Sequence, residues 1–244
     1  MRENLLNDNN QRFLDVEHNL KVIEENINNA CIKSGKKRED VIFLSATKTI
    51  DVETINYAIS KGLKYIGENK VQELLSKYDN YDLNNATLHF IGHLQSNKVR
   101  QIVGKVKMIQ SVDNLKLATE ISKQSAKLNV DTDILIEVNI GNEENKSGVN
   151  KDNLEDLLYQ ISTIKNLNVR GLMTIPPICD KKSDVSKYFS LMNNLFVDIK
   201  GKKIDNISMD FLSMGMSSDY YEAILEGSNM VRIGTSLFGQ RIYI

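Results

Sequence analysis

Between residues 41 and 239 the chain switches eight times from a short, near-continuous apolar run to a stretch of helical spacing, and few architectures accept that pattern. The runs are VIFLSAT (41–47), LKYIGEN (63–69), LHFIG (88–92), KMIQSV (107–112), DILIEVNI (133–140), NVRGLMTI (168–175), IDNISMDFLSM (204–214) and NMVRIG (229–234). Strands that are apolar on both faces and separated by helices form a parallel sheet covered by those helices. Spacings of three and four mark the intervening helices: Val52, Ile55 and Ile59; Leu115, Ala118 and Ile121; Leu154, Leu157, Leu158 and Ile161. The same reading predicts helices through Val99, Ile102 and Val103, near 183–199 and over 220–227. Eight such units predict an α/β protein, a closed (β/α)8 TIM barrel. An open doubly wound sheet would place a phosphate loop after its first strand, and neither GxGxxG nor GxxxxGK[ST] occurs.

Ahead of the first run, Phe13, Val16, Leu20, Ile23, Ile27 and Cys31 form one apolar stripe. The stripe predicts an extra N-terminal helix over about 10–34, closed by Gly35 as its C-cap, followed by a barrel over about 41–244. It suits packing onto the barrel, over its floor or as a contact surface, and the chain is expected to act as a monomer. With 244 residues and no linker or low-complexity stretch, residues 1–244 read as a single domain.

Charge excludes several function classes. Lys plus Arg number 31 and Asp plus Glu 32, so no basic excess favours nucleic acid or an anionic membrane surface. No run of 18 apolar residues spans a membrane, and MRENLLNDNNQRFLD lacks the apolar core of a secretion signal. Cys31 and Cys179 stand far apart without a metal-type spacing, so the expected compartment is the reducing cytoplasm.

In a barrel, chemistry gathers where strands end. Lys48 follows the first run: a lysine there either opens a solvated loop or, partly desolvated, presents a free amine able to attack a carbonyl. LSMGMSSD (212–219) and RIGTSLFG (232–239) each combine Gly with small hydroxyl residues ahead of a helix, where backbone amides can receive a phosphate. Arg232, beside the second loop, either pairs within the barrel wall or meets a ligand's ring nitrogen or phosphate. A Schiff-base lysine, a phosphate cup and a positioned arginine together describe a site for pyridoxal 5′-phosphate, PLP. His89 and His93 span a strand and its loop, so their spacing does not make a zinc pair, and a structural or cofactor-lining role is expected. No GxSxG elbow supports a serine triad, and Met173 reads as core or ring packing.

The strand ends, ATKT around Lys48, IGENKVQE (66–73), HFIGHLQSNKVR (89–100), LIEVNIGNEENKSGV (135–149), GLMTIPP (171–177) and LSMGMSSDYYEAILEGSNMVRIGTSLFG (212–239), resemble the pyridoxal phosphate homeostasis proteins, the YggS-like family, from about residue 20 onward. The resemblance implies a PLP fold-type III barrel similar to the N-terminal domain of alanine racemase. It implies PLP covalently held on Lys48, Asn69 near the cofactor, Ser213, the Met214 backbone, Gly234 and Thr235 at the phosphate, and Arg232 facing the pyridine nitrogen. The chain differs from the family where Ile50-Asp51 replace a Lys-Pro pair and Leu88 replaces a Trp, both beside the site.

Alanine racemase takes its second base from a C-terminal β-domain, and a sequence ending at Ile244 leaves no residues for one. An arginine at the ring nitrogen donates hydrogen bonds only, which leaves the ring a poorer electron sink. The expected function is therefore non-catalytic PLP binding in vitamin B6 homeostasis, with apo-PLP enzymes as recipients. An amino-acid racemase or lyase is the alternative, and a Schiff-base aldolase acting on a phosphorylated sugar ranks third.

Overall fold

Each apolar run becomes a strand: β1 (Ile42–Ala46), β2 (Tyr65–Glu68), β3 (Thr87–Phe90), β4 (Met108–Val112), β5 (Thr132–Asn139), β7 (Leu167–Met173), β8 (Ile207–Ser213) and β9 (Met230–Ile233). The computed structural model describes residues 2–240, with side chains from residue 10, so positions 241–244 of the expected barrel lie outside the described residues. The strands run β4-β3-β2-β1-β9-β8-β7-β5, and β4 pairs with β5 to close the ring. Every pairing is parallel, as in Leu44↔Tyr65, Leu44↔Arg232 and Ile109↔Ile134. The result is the TIM barrel expected from the alternation. A two-residue strand, β6 (Val149–Asn150), lines up beside the end of β5 and is too short to leave a sequence signal.

The helices are α1 (Arg2–Lys33), α2 (Val52–Ser60), α3 (Val71–Lys77), α4 (Leu115–Leu128), α5 (Leu154–Ser162), α6 (Lys182–Lys202), α7 (Tyr220–Leu225) and α8 (Thr235–Phe238). Two expectations need correction. The stretch containing Val99 forms a 3-10 segment, Ser96–Gln101, in place of the expected α-helix: its apolar spacing marks a buried face, with Val99 buried, and a turn of either kind presents such a face. The leading helix begins at Arg2, ahead of residue 10, since the apolar stripe that marks it in the sequence starts only at Phe13. Its C-terminus is as expected: Gly35 has φ +71°, and the Lys36 amide donates to the Cys31 carbonyl at 2.9 Å.

Helix α1 solves a problem at the seam of the barrel. With four residues, α8 cannot cover the wall between β9 and β1. Helix α1 packs there against α7, α8 and α2, burying Val16, Leu20, Ile23, Ile27, Ala30 and Cys31. Asn19 donates to the Leu237 carbonyl at 3.0 Å and Asn26 to the Tyr220 hydroxyl at 3.1 Å. Its stripe thus takes the place of an eighth wall helix.

Two apolar layers separate. The larger lies between strands and helices; the smaller fills the lumen with Leu44, Ile91 and Met230, and with Met108, Leu135 and Met173, joined by Phe211. Gly171 allows β7 to approach β8: with φ +147°, a Cβ there would stand 1.9 Å from the Phe211 carbonyl oxygen. Among the described residues, no helix is long and apolar enough to cross a membrane.

Candidate functional site

Alternation along each strand decides what enters the lumen above its apolar floor. On β8, Leu212 packs outward and Ser213 inward; on β9, Ile233 packs outward and Arg232 inward. Arg232 is 5% exposed, donating from Nη1 to Ser213 Oγ at 2.7 Å and from Nη2 to the Thr174 carbonyl at 2.8 Å. The Ser213 hydroxyl donates to Gln110 Oε1 at 2.7 Å, and Gln110 Nε2 lies 2.9 Å from His89 Nδ1. A chain of polar contacts therefore crosses the lumen from β3 to β9.

Burial sets the charges in that chain. It lowers the Arg232 guanidinium to about 10, partly offset by the carboxylates of Glu137 and Asp219. It lowers His89 to about 4, with Lys107 adding a smaller push, so the imidazole is neutral at pH 7. Glu137, inward-facing on β5, moves the other way, to about 7, through burial first and the neighbouring Asp113 second.

Lys48 lies two residues past the end of β1 and is half-buried. It shares one cleft with Ala46, Gly234, Thr235 and Phe238, so the structure brings Lys48, Gly234 and Thr235 together as expected from sequence. Within the same loop pair, the amides of Gly234 and Ser236 both donate to Ser217 Oγ at 3.2 Å. Two converging N–H groups on a single oxygen describe an anion cradle whose occupant, in this structure, is a hydroxyl.

The remaining expected residues are placed more variously. Asn69 follows β2, and its Oδ1 is buried with no hydrogen-bond partner among the described residues. Gly92 allows that position, since a Cβ there would stand 2.1 Å from the Asn69 carbonyl oxygen. Ser213 meets Arg232 and Gln110 inside the lumen, away from the cradle formed by 234–236. The Met214 amide is engaged by the Met230 carbonyl at 3.1 Å. His93 lies apart from His89, with Nδ1 3.3 Å from Ser147 Oγ.

Sequence reasoning passed over Ser217, Ser236, Gln110 and Glu137. The two serines stand inside the loops it selected, in MSSD and GTSLF. Gln110 and Glu137 carry a fainter signal: each is a polar residue in an otherwise apolar run, at a position whose parity points inward.

The arrangement fits PLP by chemistry: an amine for the aldehyde, converging amides for the phosphate, and a buried donor for the ring nitrogen. The orphaned Asn69 Oδ1 adds an acceptor that awaits a donor.

Comparisons with known proteins agree. Residues 17–242 match the family model for the alanine racemase N-terminal domain. The pyridoxal phosphate homeostasis protein of Aquifex aeolicus is 44% identical over 219 residues, which span 90% of this chain and 95% of that one. The solved structure of PipY from Synechococcus elongatus, with PLP bound, superposes with a TM-score of 0.79 at 28% identity, covering 92% of this chain and all of that one. Alanine racemase of Clostridium difficile shares the fold alone, with a TM-score of 0.72 at 14% identity over 93% of this chain and 57% of that one. This chain belongs to the pyridoxal phosphate homeostasis protein family, whose barrel is that of the alanine racemase N-terminal domain.

Proposed function

We propose that this protein binds PLP reversibly in PLP homeostasis, holding it as a Schiff base on Lys48 and without efficient catalysis of its own. The observation that carries this reading is the cleft shared by Lys48 and the Gly234–Thr235 turn, beside a buried Arg232. PLP supplies the aldehyde and an electron-accepting ring; linkage joins Lys48 Nζ to the aldehyde carbon as C=N and releases one water. The amides of Gly234 and Ser236 take the phosphate once the Ser217 hydroxyl yields its place. Arg232 offers the ring nitrogen donors only, and its own proton stays in place at pH 7, so it holds that nitrogen without protonating it. This favours storage and release over carbanion chemistry. The released PLP would serve apo-PLP enzymes.

The test is borohydride reduction of PLP-loaded protein followed by peptide mass spectrometry. A reduced pyridoxyl adduct on Lys48, with the visible absorbance lost in Lys48→Ala, is expected. Equal absorbance and cofactor content in wild type and Lys48→Ala would overturn the reading.

A further inference from the structure

The residue after Lys48 is conformationally unusual. Thr49 has φ +66°, the left-handed region in which a β-branched side chain is strained. Such strain persists only where the surroundings over-determine the backbone. Here they do so on both sides of Lys48. The Thr49 amide donates to Glu73 Oε1. Lys77 Nζ donates to the Thr47 carbonyl at 3.2 Å, to Glu73 at 2.7 Å and to Glu68 at 3.0 Å. Glu68 is fully buried, and its Oε1 also accepts from Thr47 Oγ at 2.9 Å and Tyr81 Oη at 2.7 Å.

We propose that Lys77, bridging Glu68 and Glu73, is a positioning residue that locks the 47–49 backbone and so aims the Lys48 amine; this rests on the reading of Lys48 as the PLP-linking residue. A cluster that merely anchored α3 to the barrel would need the Lys77–Glu68 pair alone. This one also bonds the Thr47 carbonyl and the Thr49 amide, the two main-chain groups that bracket Lys48.

The experiment compares two ligands. Pyridoxamine 5′-phosphate has the ring and phosphate of PLP but an amine in place of the aldehyde, so it cannot link to lysine. In Lys77→Met, the borohydride-trapped adduct on Lys48 should form about tenfold more slowly than in wild type, the scale expected for a misplaced reacting group. Binding of pyridoxamine 5′-phosphate should stay at the wild-type level, and Lys77→Arg should keep most of the trapping rate. Adding Thr49→Gly should restore trapping, because Gly adopts φ +66° without strain. If Lys77→Met fails to fold, Glu73→Ala removes only the α3 carboxylate and is read in the same way. Unchanged trapping, an equal loss for both ligands, or no rescue by Thr49→Gly each overturns the proposal. Equal adduct in wild type and Lys48→Ala overturns instead the reading on which it rests.

Discussion

Among the described residues the lumen of this barrel holds two arginines, one toward each end, and they are solvated in opposite ways. Arg170, on β7 at the floor, is one-third exposed and flanked by carboxylates: Nε to Asp210 at 2.7 Å and Nη1 to Asp133 at 3.2 Å, with the guanidinium 5.5 Å above the Phe211 ring. Those partners raise its affinity for its proton. Arg232, on β9 toward the mouth, is buried, makes no ion pair among the described residues, and bonds only the neutral oxygens of Ser213 and Thr174. A cation kept dry with neutral acceptors as its hydrogen-bond partners is costly, which fits the proposed reading of Arg232 as a ligand's hydrogen-bond donor. The floor arginine has its counter-ions built in and reads as structure.

Exchanging each arginine for an apolar side chain breaks the comparison directly. Arg232→Met should weaken retention of PLP by about 100-fold, the scale of one charge-assisted hydrogen bond lost in a dry site. Stability in urea should barely move, because the desolvation cost of the cation disappears along with its bonds. Arg170→Met should do the reverse. Asp133, 8% exposed, would lose its main partner, and the half exposure of Asp210 tempers the penalty to about 2 kcal/mol of unfolding free energy. PLP titration by absorbance and urea unfolding followed by circular dichroism check the pair. Similar losses of affinity in both variants would dissolve the distinction between the two ends.

A third substitution probes the mouth through packing rather than charge. Gly92→Ala would drive a methyl group onto the Asn69 carbonyl and should cost about 1–3 kcal/mol by overpacking, with PLP affinity falling alongside. A variant of wild-type stability and affinity would show that this close approach is unimportant.

The same two ends explain what could be read from sequence. The eight strands were legible because strands buried on both faces leave unbroken apolar runs, and Lys48, Gly234 and Thr235 because barrel geometry gathers strand ends. Arg232 was legible in position, while the neutral oxygens of Ser213 and Thr174 that it meets in place of a direct ion pair were not, since they come from the ends of two other strands. Ser213 shows the limit most clearly. Ser213 is the last residue of β8 and points into the lumen while Ser217 lies in the loop beyond it, and the LSMGMSSD run does not reveal that Ser217 is the serine at the cradle and Ser213 the one at Arg232. The floor network of Asp133, Arg170 and Asp210 was invisible because its members come from three strands, β5, β7 and β8, and meet only once those strands pair side by side.

The smallest expected effect is in the pH profile, where two groups near the mouth oppose each other. Glu137 has its folded pKa raised to about 7 from 4.5, so its contribution to stability is present below the unfolded value and is lost as pH rises toward 7. His89 has its folded pKa lowered to about 4 from 6.5, so its contribution is present above 6.5 and is lost as pH falls toward 4. Between pH 5.5 and 7 the two slopes have opposite signs, and wild-type stability should be nearly flat with respect to this pair. Glu137→Gln removes one slope and exposes the other. That variant should lose about 1 kcal/mol relative to wild type on going from pH 7 to pH 5.5, while His89→Gln should gain a similar amount. Urea midpoints at the two pH values measure both. If the Glu137→Gln profile ran parallel to wild type, its carboxyl would not titrate in this window, and the mouth would be as well solvated as the floor.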